Sequence, residues 1–136
     1  MTLVYVARST AFTKWASDVG LGKHVFKVGC AADKDELDAA IAAGWAGETD
    51  WKPVRTREAE TASEDAIFAR LAAREKLVEP FYYPRLKGAT GIFRVTLIHV
   101  ERSILLQRAL TGESETAPIK AKPADIADYL IRVGLG

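Results

Sequence analysis

The sequence predicts an α+β domain with a small antiparallel sheet of three to four strands, flanked by helices and followed by additional C-terminal helices. Residues 3–7 and 25–30 show the alternation of half-buried strands, because successive strand side chains point to opposite faces. Two later segments open with the spacing of a helix capping box, at Asp33 and at Thr61. A chain of 136 residues has the usual length of one domain.

The first two strands carry the residues on which the functional hypothesis depends. Residues 3–7 read Leu-Val-Tyr-Val-Ala, which puts Tyr5 on the face opposite its two valine neighbours. Residues 25–30 read Val-Phe-Lys-Val-Gly-Cys, which puts Lys27 and Gly29 on one face. We expect the two strands to pair antiparallel. Lys27 then lies beside a glycine that has no side chain to cover it.

A long connection and a helix surround the second strand. Residues 8–24 are rich in turn-forming residues and leave room for a helical turn within residues 12–19. After the second strand, Asp33 and Glu36 have capping-box spacing and predict the start of a helix. Gly44 marks its expected end.

The next elements are a strand, a helix and a short strand. Residues 51–57 predict a third strand, with a proline near its start that suits a strand beginning or a sheet edge. Thr61 and Glu64 form the second capping box and open a helix that runs to about residue 76. Residues 92–95 predict a short strand after an aromatic loop.

The C-terminal part predicts two helices joined by a polar linker. Residues 96–110 form the first helix and residues 124–133 the second, which Pro123 is well placed to start. We therefore divide the chain into a main domain, residues 1–112, and a linker with a C-terminal helix, residues 113–136. The last helix is expected to pack on the same domain or on a partner, including a second copy of the chain.

Composition excludes several functional classes. A single cysteine, Cys30, rules out an internal disulfide and a multi-cysteine zinc site, and two distant histidines do not suggest a metal cage. No apolar run approaches the roughly 20 residues of a membrane span, and no signal-peptide pattern opens the sequence. We therefore expect a cytoplasmic protein without membrane partners.

Charge is unevenly distributed, although the net charge is only +1. Residues 30–50 hold six acids and one lysine, whereas residues 52–94 hold nine Lys/Arg and six acids. The second segment predicts a mildly basic surface, for which DNA is the candidate partner. Four cations in it are candidates for nucleic-acid binding: Arg55, Arg57, Arg85 and Lys87.

Three segments in order resemble a known nuclease family. Leu3-Val4-Tyr5 opens the first strand, Lys27-Val28-Gly29 stands in the second strand, and Glu64 opens the helix after the third strand. Over about residues 3–95 this order resembles the GIY-YIG nuclease superfamily, in particular the branch of phage and bacterial proteins whose second tripeptide reads KIG. Residues 92–95 look like the short aromatic element that follows in that branch.

The resemblance implies a metal-dependent endonuclease that hydrolyses DNA phosphodiester bonds. In that scheme Tyr5 positions or deprotonates water, Lys27 neutralises phosphate or lowers the pKa of Tyr5, and Glu64 binds Mg²⁺ or Mn²⁺. Gly29 belongs to the motif backbone. The chain departs from the family in two respects: the loop between the two tripeptides is longer, and the helix after Gly29 has no arginine. The second departure allows that the enzyme is catalytically impaired.

Each candidate also has an ordinary structural explanation. Tyr5 suits a half-buried strand position, Lys27 a solvent-facing one, and Glu64 the capping box of Thr61. Cys30 suits a small buried side chain better than a nucleophile. Two other functions therefore stay open beside the enzyme: an inactive relative that binds nucleic acid or protein, and a structural homo-oligomer joined through its last helix.

Overall fold

The computed structural model describes residues 2–60, 62–80, 82–86, 89–112 and 118–136. Its strands are β1 (Thr2–Arg8), β2 (Val25–Ala31), β3 (Lys52–Ala59), β4 (Lys76–Leu77) and β5 (Ile92–Arg94). They form one antiparallel sheet in the order β3-β1-β2-β5-β4. The coarse α+β class and the antiparallel sheet are confirmed.

The sheet has five strands in the described part of the chain, rather than three to four. The additional strand, β4, has two residues, and no alternation can be recognised over so short a segment. β3 begins at Lys52 and runs to Ala59, slightly later than expected. As an edge strand it tolerates Pro53, which lies opposite Ala7 next to a register shift.

The helices are α1 (Thr10–Asp18), α2 (Lys34–Ala43), α3 (Glu64–Ala72), α4 (Leu97–Thr111) and α5 (Pro123–Leu135). α1 is a complete helix where only a turn was expected. Ser9 caps it by accepting a hydrogen bond from Phe12 N, and Asp50 accepts bonds from the Ser9 hydroxyl and from Ala11 N. Because Asp50 lies far from this helix in the sequence, local sequence patterns could not predict its contribution to the helix start. No helix in the described part of the chain is both long and apolar enough to cross a bilayer.

The two faces of the sheet carry separate cores. Val4, Val6, Phe26 and Val28 pack on one face against buried side chains of α3, α4 and α5. Tyr5 and other side chains on the opposite face pack with α1 and α2; this second core includes Ala7, Phe12, Val25, Ala31 and Leu37. Because strand side chains alternate between faces, Tyr5 and Lys27 lie on the side of α1 and α2.

α5 is part of the core of its own domain. It packs mainly on α3 and also contacts β1, β3 and α4, burying Ile126, Leu130 and Ile131. Close contact with α3 needs a glycine, since a Cβ on Gly134 would lie 2.7 Å from Ile67 Cγ2. The apolar face of α5 is thus occupied within the chain. The expectation that this helix docks on a second copy has no structural support.

The burial of α5 predicts a large effect of truncating its central leucine. Leu130 is completely buried, so L130A should lower the free energy of unfolding by about 2–5 kcal/mol through lost burial and an internal cavity. Urea unfolding measures this change. The matched control is L110A on α4, where the side chain is 72% exposed and the expected change stays within about 0.5 kcal/mol. Equal effects of the two variants would contradict the packing of α5.

Candidate active site

The pairing of β1 with β2 brings two of the predicted site residues together. Tyr5 lies opposite Gly29, and Lys27 lies on the same face of β2, two residues before Gly29. A Cβ atom on Gly29 would overlap the Tyr5 hydroxyl and lie 2.7 Å from Tyr5 Cζ and 3.1 Å from Lys27 Nζ. The tyrosine hydroxyl and the ammonium group therefore occupy the space that glycine leaves.

The Lys27 ammonium group is buried without a salt bridge in the described part of the chain. The residue is 4% exposed, which corrects the expectation of a solvent-facing lysine. Its Nζ donates to Val28 O at 3.1 Å and to the Tyr5 hydroxyl at 3.4 Å. It also lies 5.1 Å from the Trp45 ring centroid and 5.5 Å from that of Tyr5, within the range of cation–π attraction.

This environment changes the acid–base properties of three groups. Burial lowers the pKa of Lys27 to about 8, although the negative charge of Glu64 opposes the change. Burial, and then the charge of Glu64, raises the pKa of Tyr5 well above its usual value. Burial also raises the pKa of Cys30. At mildly alkaline pH, Lys27 therefore loses its proton before Tyr5 does.

Trp45 covers the pair and was not recognised as a site residue from the sequence. Its ring stacks on Tyr5 with centroids 5.7 Å apart and an interplanar angle of 13°. A tight turn holds it: Trp45 and Glu48 exchange backbone hydrogen bonds, and the two residues between them have positive φ. Trp51 donates its indole N–H to Trp45 O at 3.0 Å. The sequence carries no periodic signal for this contact, because it depends on a turn and a distant tryptophan.

Glu64 reaches the site from the first turn of α3. Its Oε2 accepts a hydrogen bond from Cys30 N at 2.8 Å. Val28 N, two residues earlier on the same edge of β2, donates instead to Gly91 O of the segment leading into β5. Because β5 does not extend further, the Glu64 carboxylate takes the place of the next strand carbonyl.

The prediction that Glu64 forms a capping box with Thr61 is wrong. α3 starts at Glu64 and its cap is Ser63, whose hydroxyl accepts from Ala66 N at 3.4 Å. The carboxylate of Glu64 is directed to Cys30 on the neighbouring strand. Thr61, the other half of the expected box, lies outside the described residues. Two capping-type residues precede this helix, and the Thr61 spacing happened to fit the box pattern.

The geometry admits at most a sparse metal site around Glu64. No group of three or more His, Cys, Asp or Glu side chains is arranged to hold a metal among the described residues. Glu64 is half-buried and uses Oε2 for Cys30 N, so Oε1 is the oxygen that remains for a ligand. A single carboxylate suits Mg²⁺, which keeps several waters and takes few protein ligands.

The cations expected to contact nucleic acid are not part of this site. Arg55 and Arg57 lie opposite Val6 and Val4, on the face away from Tyr5. Arg55 is also paired with an α5 carboxylate, Asp128, at 3.2 Å. These two arginines therefore do not replace the missing helix arginine beside Lys27. Lys87 and the side chain of Arg85 lie outside the described part of the structure.

Comparisons with known proteins do not assign the chain to a family. No protein-family model matches it, and neither a curated protein nor a solved structure matches it at a significant level. The resemblance to GIY-YIG nucleases therefore depends on the two tripeptide positions, on Glu64 and on the order of the elements. What that resemblance implies for function is a proposal.

The space above Gly29 predicts a non-additive pair of substitutions. G29A should destabilise the protein by about 1–3 kcal/mol, because the new methyl group displaces the Tyr5 ring and Lys27. In a Y5L background the same change should be less harmful, since the overlapping hydroxyl is gone. Urea unfolding of the four proteins measures the coupling. Fully additive effects would show that Tyr5 does not occupy the space.

The buried charge of Lys27 predicts a pH-dependent cost in stability. Between about pH 8 and pH 10.5 the unfolded chain binds more protons at this residue than the folded chain, so wild-type stability gains from rising pH there. K27M removes the charge and should be more stable than wild type at neutral pH by roughly 1–3 kcal/mol. This stability advantage of K27M should shrink as the pH rises from about 8 to about 10.5.

Thermal or urea unfolding at several pH values measures this difference. K52M is the matched control, since Lys52 is exposed at the start of β3 and its removal should produce no pH-dependent change. An advantage of K27M that is the same at neutral and at high pH would mean that Lys27 gains from better packing and not from loss of a buried charge.

Proposed function

We propose that this protein is a GIY-YIG-like, metal-dependent endonuclease domain that hydrolyses DNA phosphodiester bonds. The observation that carries the proposal is the placement of Lys27 Nζ and the Tyr5 hydroxyl over Gly29, 3.4 Å apart, with the Glu64 charge acting on both. Packing alone gives no reason for a buried lysine without a salt bridge, because such a charge lowers stability. Proton transfer gives it a role.

The three side chains divide the chemistry in the proposed site. Mg²⁺ or Mn²⁺ held by Glu64 would polarise the phosphate and activate a bound water. Tyr5, protonated at neutral pH, would orient the attacking water through its hydroxyl and accept its proton. Neutral Lys27 takes the hydroxyl proton of Tyr5 in the same step. A water oxygen bonds to phosphorus, the bond to the sugar oxygen breaks, and solvent protonates the leaving oxygen.

The Lys27 pKa fits this role. An amine with a pKa of about 8 is a far better proton acceptor near neutrality than an ordinary lysine. A cation at Glu64 would cancel the negative charge that favours the ammonium form, and so would lower the pKa further. Metal binding and proton acceptance therefore support each other. The Trp45 ring has to move aside for a phosphate to reach the pair.

A non-catalytic relative that binds nucleic acid or protein is the second candidate. It is favoured by the burial of Tyr5 and Lys27, 5% and 4% exposed, under Trp45. It is also favoured by α2, fully described, which has no arginine and carries Asp35 and Glu36 in its first turn. Acids at this position repel a phosphate.

The decisive variant is E64Q, because glutamine keeps an oxygen to accept from Cys30 N and loses only the charge. Wild type should nick supercoiled plasmid or branched DNA with Mg²⁺ or Mn²⁺. E64Q should unfold like wild type and cleave about 10²–10³-fold more slowly, a typical cost of removing an electrostatic stabiliser. The wild-type rate should rise with pH as Lys27 loses its proton and level off above the Lys27 pKa, which the bound metal places below its metal-free value of about 8.

The control is E101Q, a change of the same kind on α4, which packs on the face of the sheet away from Tyr5 and should leave cleavage unchanged. Cleavage that is equally fast in wild type and E64Q would refute the role of Glu64. Absence of cleavage in correctly folded wild type, with either metal and both DNA substrates, would favour the non-catalytic relative.

A further inference from the structure

A second polar cluster lies on the other side of the sheet, between α3, α4 and α5. Glu75, just after α3, is a glutamate whose side chain is completely buried. Its carboxylate accepts hydrogen bonds from Thr96 N at 2.7 Å and from the Tyr129 hydroxyl at 2.6 Å, and it contacts His99 Nδ1 at 2.8 Å. These three contacts satisfy a buried charge and hold the His99 ring in one orientation.

The ring of His99 borders an open cleft of about 660 Å³ between the three helices. Since Nδ1 is engaged by Glu75, Nε2 is the nitrogen left for a ligand, and the side chain is 38% exposed. His99, Arg102 and Leu106 recur at helical spacing along α4, which places them on one side of that helix. Tyr129 and Arg132, three residues apart on α5, likewise lie on one side of their helix and line the cleft.

The cleft is strongly basic. Three arginines line it, Arg74, Arg102 and Arg132, and no aspartate or glutamate is among its described lining residues. None of the three guanidinium groups forms a salt bridge or a hydrogen bond with another side chain in the described part of the chain. The buried Glu75 beside the cleft is already committed to its three partners. The arginines exceed it in charge, so the cleft attracts anions.

We propose that this cleft binds the phosphate group of a small phosphorylated molecule. Arginine forks match phosphate oxygens in geometry and charge, and His99 Nε2 adds a further contact from a fixed direction. The cleft volume is in the range of small-molecule sites, about 300–1,000 Å³. Leu106 and Val133 supply apolar surface for the rest of the ligand. The cleft is separate from the Tyr5–Lys27 site and does not depend on the proposed endonuclease.

Two histidines make the test direct, because only His99 lines the cleft and His24 precedes β2. Imidazole resonances of the whole chain are followed by NMR during titration with inorganic phosphate, and separately with AMP. The His99 signals should shift saturably and the His24 signals should not. Chloride at equal ionic strength should leave both unchanged.

Variants localise the binding. R74Q and R102Q should each weaken phosphate binding about tenfold, the effect of one lost charge-assisted hydrogen bond. R57Q removes an exposed arginine outside the cleft and should change nothing. Tighter binding of AMP than of phosphate would identify a phosphate ester as the ligand, and equal binding would identify free phosphate.

Three results would overturn the proposal. One is a His99 shift that phosphate and chloride produce equally. Another is a loss of binding in R57Q as large as in R102Q. The last is a His99 shift with a short DNA duplex and none with phosphate or AMP, which would assign the cleft to nucleic acid instead of a small ligand.

Discussion

The antiparallel register of β1 and β2 is the constraint on which the candidate active site depends. It sets Tyr5 opposite Gly29, and the missing side chain leaves room for the tyrosine hydroxyl and for Lys27 Nζ. A shift of one residue would turn Tyr5 to the other face of the sheet, where α3 and α5 pack. The register thus sets the position in which the ammonium group is buried beneath the Trp45 ring, where burial lowers its pKa.

Glu64 links this pair to the rest of the fold through a backbone contact. Beyond the end of β5, the Cys30 N–H group at the edge of β2 has no strand partner. It donates a hydrogen bond to the Glu64 carboxylate at the start of α3. The contact holds a negative charge near Lys27 without forming a salt bridge that would keep the lysine protonated. On the opposite face, Glu75 performs a similar task for His99 by holding the ring at a basic cleft.

Local rules predicted the elements whose signals are local. The strands that carry Tyr5 and Lys27 alternate clearly, and the helix at Asp33 begins with that residue accepting from Glu36 N. Prediction failed where a distant group decides the outcome. α1 is stabilised at its start by Asp50, far along the chain, and the start of α3 is capped by Ser63 while Glu64 turns to another strand.

By itself, the sequence determined the α+β class, the antiparallel pairing of the first strands and the presence of Tyr5, Lys27 and Gly29 on one face. Strand periodicity is a property of neighbouring residues, so it can be read without the fold. Only the tertiary structure decided that Lys27 is buried, that Trp45 covers it and that Arg55 and Arg57 lie on the other face. Burial and charge environment depend on which distant segments pack together, and the local pattern does not contain that information.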